Sequence, residues 1–356
     1  MRISENIFIS SLTTMRLGGL AKYVIEVERP EEIPDAYNIA IMNNLPTFIL
    51  GFGANTIGHD EGFPGAIIIN RMHGIESLSK STTESPQIIK VMGGELWDNV
   101  VAYACERGLT GIEALSKIPG LAGAAPVQNI GAYGQEIADT LTEIEVYDTA
   151  LHTFKTLTHN DLGFSYRKSI LNTTERGRYF VISITLALTT GQMPRPFYNS
   201  IENYLSEHNI TDFSPNSIRN VVSTIRADKL PDPSQIASSG SFFKNVYLTE
   251  SEAETAENKG YPVHHGHDGN KINSAWLIEQ AGFKGQLLHG IRVSSKAPLV
   301  LINESAKSFA DLAKARSEII NKVYDKFGYW LEQEPIEITH TKLASIPTHA
   351  HPNQGK

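Results

Sequence analysis

Ile118-Pro119-Gly120-Leu121-Ala122-Gly123-Ala124-Ala125-Pro126-Val127-Gln128-Asn129-Ile130-Gly131-Ala132-Tyr133-Gly134 can be neither a regular helix nor a regular strand. Four glycines and two prolines in seventeen residues remove the side chains and the donors that either element needs. Such a run fits a chain that passes close to a large flat ligand, with Gln128, Asn129 and Tyr133 as polar contacts. The plainer alternative is a buried turn packed with Gly and Ala.

Upstream, Lys22–Glu28 reads as a strand, Glu31–Asn43 as a helix with Ile33, Tyr37, Ala40 and Ile41 on one side, and Thr47–Leu50 as a second strand. This predicts a small βαβ unit. Gly51-Phe52-Gly53-Ala54-Asn55-Thr56 leaves the second strand, and glycines there let backbone N–H groups approach a phosphate. The loop is not the dinucleotide fingerprint, since Thr56 stands where a third glycine would be, and it lacks the Gly-Lys-Ser/Thr of a P-loop. Ala66–Asn70 and Gln87–Met92 are further strand-like runs, and Leu96–Arg107 reads as an amphipathic helix capped by Gly108.

Downstream, strands are predicted at Glu143–Tyr147 and Phe180–Leu188. Between them, Gly163-Phe164-Ser165-Tyr166-Arg167-Lys168-Ser169 offers an arginine beside an aromatic ring. Its planar fork suits a developing carboxylate charge, and a surface arginine on a strand is the bland alternative. Pro194–Pro196 and Leu230-Pro231-Asp232-Pro233 bracket a change in texture. Beyond it, Ser239-Gly240-Ser241-Phe242-Phe243-Lys244-Asn245-Val246 sets a hydroxyl, an ammonium and an amide within five residues of one another. A purely structural strand has no need of that polar set. Ala275–Ala281 reads as a helix and Leu299–Asn303 as a strand. Phe309–Phe327 reads as a long helix striped by Phe309, Leu312, Ala313, Ile319, Ile320, Val323 and Phe327, and Ser308 with Asp311 forms a capping-box pattern. In Trp330-Leu331-Glu332-Gln333-Glu334-Pro335 either glutamate could be an active-site acid or a solvated charge.

The bulk numbers bound the function. The chain has 356 residues, enough for two or three domains, with 41% hydrophobic and 20% charged residues. A net charge of −8 argues against a broad nucleic-acid surface. Cys105 is the only cysteine, which excludes an internal disulfide and a cysteine-rich metal site. Met1–Leu20 has no uninterrupted apolar run of the kind a secretory leader needs, and no stretch approaches the roughly 20 apolar residues of a membrane helix. His264, His265 and His267 in a Gly/Asp loop, and His349 and His351 in the tail, lack the helical spacing of a metal motif, so no metal is expected.

Taken in order, these segments resemble the UDP-N-acetylenolpyruvoylglucosamine reductases, the MurB family of peptidoglycan synthesis. The resemblance runs from Thr14-Met15-Arg16-Leu17-Gly18-Gly19 through Ile49–Asn55, Ile118–Gly120, Pro126–Gly134, Tyr166–Ser169, Lys229–Pro233 and Gly240–Asn245 to Trp330–Glu334 and about Ile338. It implies an α+β fold: a two-part FAD-binding domain of the vanillyl-alcohol-oxidase (PCMH) type with a smaller α/β substrate-binding domain. The parts would be residues 1–70 and 71–213 for FAD, with a return at 329–342, then 214–328 for substrate and a flexible tail at 343–356.

The resemblance also implies roles. Ser241 falls on the general acid, Arg167 on the group that stabilises the enolate, and Glu334 on the second glutamate of the terminal motif. FAD would be held by Gly51, Phe52, Gly53, Ala54, Asn55, Thr56, Pro119, Gly120, Gly123, Ala124, Gln128, Asn129, Gly131, Ala132 and Tyr133. Lys229 and Asn245 would hold the diphosphate of the substrate, Tyr166 would also bind substrate, and Tyr198 would ride on a closing loop. NADPH and UDP-N-acetylenolpyruvoylglucosamine are the implied partners of a cytoplasmic enzyme, with no nucleic acid and no membrane, and a monomer is favoured. The chain departs from the family pattern at Ala54, where a serine is usual, at Pro335, and after Tyr198, where the usual glycine is missing. Another flavin oxidoreductase of the same fold, or a UDP-sugar-binding protein without turnover, are the alternatives.

Overall fold

The computed structural model describes residues 1–79, 85–266 and 269–339. The expected tail at 343–356, His267, His349 and His351 lie outside the described residues.

The first layer is a four-stranded sheet in the order Arg2–Phe8, Leu20–Val27, Phe63–Asn70, Thr47–Leu50. The first pair is antiparallel and the other two are parallel. The βαβ unit is present, with helix α1 at Ile33–Met42, but Phe63–Asn70 inserts between its two strands. That strand is buried on both faces, which is why it reads as an almost unbroken apolar run. Ile68 packs under α1 with Ile33, Ala36 and Ala40, while Ile67 and Ile69 turn to the opposite face with Leu50.

A second sheet runs Thr153–Thr158, Leu141–Asp148, Tyr179–Thr190, Gln87–Met92, Ile75–Ser77, all antiparallel. Helix α2, Trp97–Glu106, covers one face through Val100, Val101 and Ala104. Tyr147, Phe180 and Ile182 on the other face share the core beneath α1, so the two sheets meet there. Residues 118–134 hold only a single 3-10 turn, Ala122–Ala124, and the two-residue strand Gly131–Ala132.

Helices α3, Asn199–Glu207, and α4, Pro215–Lys229, pack together through Ile201, Leu205, Ile218 and Val222, with Ala114 and Phe197 in the same core. Asp98 of α2 accepts two hydrogen bonds from the Arg219 guanidinium of α4, at 2.7 and 3.0 Å. The boundary expected at residue 214 falls inside this packing.

The rest of the described chain carries α5, Glu250–Asn258, α6, Ser274–Gln280, and α7, Phe309–Phe327. They pack on a sheet ordered Ser238–Ser241, Val300–Asn303, Ile291–Val293, Leu287–Leu288, and on a three-stranded one built from Val246–Leu248, Gly269–Ile272 and Val263–Gly266. Phe242, Phe243, Leu277, Val293, Leu312, Ile319 and Val323 fill their common core. α7 buries Ala315 with Leu312 and Ile319, whereas the sequence stripe had named Ala313. Its Ser308 and Asp311 form the expected capping box. Beyond α7 the chain returns to the first layer, where Ile336–Ile338 pairs in parallel with Thr56–Gly58 and Ile338 enters that core.

Candidate active site

Two glycine loops meet at the carboxyl end of the first sheet. Gly53 adopts φ +75°, and a Cβ there would sit 2.1 Å from the Leu12 carbonyl oxygen, so only glycine fits. Gly51 faces Ala124, and a Cβ on Gly51 would come 3.1 Å from the Ala124 Cβ. Backbone bonds Ala122 N–H to Glu95 O (2.8 Å) and Gly123 N–H to Gly93 O (2.9 Å) pin the second loop against the second sheet.

Between the loops lies a cavity of about 730 Å³. That is within the range of roughly 300–1,000 Å³ typical of sites for sizeable organic ligands. All six residues of Gly51–Thr56 line it, with Pro119, Gly120, Gly123, Ala124 and Gln128. Gly120 has no atom within 4 Å of where a Cβ would stand, so its bare side opens on the cavity. Among the described residues, the N–H groups of Phe52, Gly53, Ala54 and Asn55 donate to no protein acceptor. A cluster of free amides on a glycine loop suits a phosphate, and a long, mostly apolar cavity beside it suits a dinucleotide such as FAD.

The remaining expected FAD residues stand elsewhere. Asn129 is fully buried, and its side chain is spent on Glu136, the Ser165 carbonyl and the Ala138 N–H. Gly131 and Ala132 form the short strand that leads away from the cavity. Tyr133 faces α3 and α4, its ring 5.7 Å from that of Tyr198. Burial pushes the Tyr133 hydroxyl up, opposed by the Arg226 guanidinium that hydrogen-bonds it.

This second half of the glycine run acts on Arg167 instead. Arg167 is not on a strand; it sits at φ +55° in a tight turn closed by Ser165 and Lys168. Its Nη2 donates to the Gly131 carbonyl at 2.8 Å and its Nη1 to the Asn129 carbonyl at 3.4 Å. So held, its Nε lies 3.6 Å from Glu334 Oε1.

Glu334 reaches this point through backbone pairing. Phe243 pairs antiparallel with Gln333, Lys244 N–H donates to Glu332 O at 2.9 Å, and Glu334 N–H donates to Phe242 O at 2.9 Å. The hydroxyl motif and the terminal glutamates are thereby joined edge to edge, with Ser241 one residue before the ladder. Ile336 N–H then donates to Asn55 O at 2.9 Å, which ties the same return to the first glycine loop. Burial raises the Glu334 carboxyl, opposed by the charges of Arg167 and Lys244 and assisted by Glu332.

A smaller cavity of about 170 Å³ is lined by Arg167, Lys244 and Glu334 and shares Gln128, Asn172, Arg176, Ile336 and Glu337 with the larger one. The Arg167–Glu334 pair thus stands in a cavity that adjoins the larger one across shared walls. Arg176, which no local sequence signal marked, lines both cavities and makes no ion pair among the described residues. Desolvation lowers its pKa.

Tyr166, Tyr198, Ser241, Lys229 and Asn245 line neither cavity. Tyr166 packs on Tyr247, ring centroids 4.9 Å apart, with the Lys271 ammonium 5.7 Å from each ring. Tyr247 and Lys271 belong to the small sheet that follows Asn245, and the sequence had not singled them out. Asn245 accepts from Ser274 N–H at 3.2 Å, leaving its amide NH₂ to donate elsewhere. Lys229 is exposed at the end of α4, and Tyr198 is 55% exposed at the start of α3. Among the described residues no cluster of metal-ligating side chains occurs and no helix is long and apolar enough to cross a membrane.

Comparison with known proteins bears on this arrangement. Residues 21–154 match the FAD binding domain family, and residues 232–338 match the UDP-N-acetylenolpyruvoylglucosamine reductase C-terminal domain family. A UDP-N-acetylenolpyruvoylglucosamine reductase of Vibrio parahaemolyticus is 33% identical over 339 residues, 94% of each chain. One from Amoebophilus asiaticus is 33% identical over 337 residues, 94% of this chain and 98% of the relative. The crystal structure of the reductase (MurB) from Thermus caldophilus shares the fold, with a TM-score of 0.65 at 24% identity, over 95% of this chain and all of that one. The expected α+β class with its FAD-binding domain is therefore the observed one, and this chain belongs to the UDP-N-acetylenolpyruvoylglucosamine reductase family.

Proposed function

We propose that this chain uses NADPH to reduce the enolpyruvyl ether of UDP-N-acetylglucosamine, a step of peptidoglycan precursor synthesis carried out in the cytoplasm. The observation that carries the reading is that the glycine-lined cavity shares its walls with the cavity of the Arg167–Glu334 pair. FAD, held by residues 51–56 with Pro119, Gly120, Gly123, Ala124 and Gln128, supplies hydride transfer when bound.

The chain's own residues do the rest. Arg167, oriented by the carbonyls of Asn129 and Gly131, keeps its remaining N–H groups for a substrate carboxylate. As charge builds on the carbon beside that carboxylate, a fixed guanidinium stabilises it without reorganising. Glu334, its carboxyl raised by burial, can hold a proton next to the same charge. Ser241, whose hydroxyl makes no protein hydrogen bond among the described residues, delivers the proton to that carbon, and Lys244, three residues on, is the cation we assign to assist it. Asn245 and Lys229 would take the diphosphate, Tyr166 would flank it, and Tyr198 would close over it. We start the substrate-binding domain at residue 232, because α4 packs with the FAD side, which then contributes Tyr166, Tyr198 and Lys229 to the substrate across the boundary.

The test is a pair of stopped-flow half-reactions on the FAD-loaded protein. NADPH should bleach the flavin absorbance, and the enolpyruvyl UDP-sugar should then restore it. A flavin that NADPH bleaches and the UDP-sugar leaves bleached defeats the assignment of substrate.

A further inference from the structure

The ladder between 242–244 and 332–334 sets three charges in one row. Lys244 stands directly opposite Glu332, with Glu334 its diagonal neighbour on the same short ladder. Diagonal neighbours across a pair of strands lie about 7–8 Å apart, within reach of a lysine. One ammonium therefore has two carboxylates to choose from. In the structure it is bound to Glu332, which is mostly exposed, and not to Glu334, which is buried beside Arg167. We propose that Glu332 is a positioning residue: by holding the Lys244 ammonium on its own side of the ladder it keeps a second cation off the buried Glu334.

The charge environment makes this a real competition. Arg167 faces Glu334 at 3.6 Å and already favours the anion. Arg176 and Glu337 line the same small cavity, and Glu337 is occupied by His59 and Arg316. Of the two cations whose charge acts on Glu334, Lys244 is the movable one, because Arg167 is pinned by two backbone carbonyls. Were Lys244 to turn onto Glu334, two cations would face one carboxyl and both would favour its anion. The aligned terminal motif thus needs two glutamates for different reasons, one to face the reacting charge and one to occupy the neighbouring lysine.

The inference rests on the reading of Glu334 given above, and its test is chosen to separate the two. In FAD-loaded protein carrying [5-¹³C]glutamate, the Glu334 carboxyl, assigned with E334Q, should titrate well above the ordinary carboxylate range. In E332Q its midpoint should fall by about one unit, and the basic limb of enolpyruvyl reduction should move down with it, about a tenfold loss on that limb. Flavin reduction by NADPH should not change. In a K244M background the E332Q shift should shrink to a small remainder, since Glu332 acts through the lysine. An ordinary wild-type midpoint, no movement in E332Q, or a shift undiminished in K244M overturns the proposal. If the midpoints move as expected but the UDP-sugar is not reduced, the ladder stands and the substrate assignment falls.

Discussion

Arg167 reaches its position in the left-handed backbone region, which a non-glycine residue enters at a cost of roughly 1 kcal/mol. The turn is held by Asn172, whose amide donates to the Arg167 carbonyl at 3.1 Å, and strain kept by its surroundings is common at reacting sites. Arg167→Lys should therefore lose most of kcat for enolpyruvyl reduction, because one ammonium cannot hold the Gly131 carbonyl and grip a carboxylate together. Flavin reduction serves as the control. Ser241→Ala should slow only the second half-reaction, by about 10²–10⁴-fold, as read by stopped-flow absorbance. Arg176→Ala should weaken FAD, measured by release of flavin fluorescence on dilution, since it removes an unpaired cation from the cavity wall. Little at this scale was legible locally. The local reading picked out the segment of Ser241, offered Arg167 against a surface alternative and left Glu332 and Glu334 open; only the resemblance gave them roles, since the bonds joining Lys244 to Glu332 span 88 residues and no spacing rule reaches that far. Asn129 looked like a polar contact because its type and glycine neighbours are those of a binding loop, whereas its buried amide works as an internal strut.

At the level of elements, α7 begins with two caps. Ser308 supplies one from its own chain start, and Asp60 of the first layer supplies the other, its carboxylate accepting from Phe309 N–H at 2.6 Å and Ala310 N–H at 3.1 Å. A carboxylate there satisfies two orphan donors and complements the helix dipole. Asp60→Ala and Ser308→Ala should each cost about 1 kcal/mol, seen as a lowered urea midpoint with an unchanged slope. Only the Ser308 half of this arrangement was readable, because a capping box is local and Asp60 arrives from 249 residues away. The same contrast runs through the other elements. Thr47–Leu50, Gln87–Met92 and Phe309–Phe327 match their sequence bounds, because their apolar patterns are strong and their ends carry clear turn chemistry. α4 was passed over although Ser214 and Pro215 are a good N-cap and first position and Ile218, Val221, Val222 and Ile225 form its buried stripe. The prolines on either side drew the reading toward loop.

Across the whole molecule, His59, Glu337 and Arg316 tie the first layer, the returning strand and α7 together. The neighbouring His59 and Arg316 hold the Glu337 carboxyl down at about 2 from an ordinary 4.5, against the desolvation that would raise it. A folded-state pKa below the unfolded one adds stability that is complete above about 4.5 and drains away as pH falls toward 2. The stability gap between wild type and Glu337→Gln should accordingly be widest near neutrality and close across that acid window, followed by chemical denaturation at stepped pH. The return that carries Glu337 has a temporal consequence as well. Translation makes residues 51–56 and 118–134 well before Ile336 and Glu337, which complete the cavity wall. A nascent chain therefore presents both glycine loops before the strand that closes the wall beside them exists, and a chain cut short of Ile336 lacks that wall.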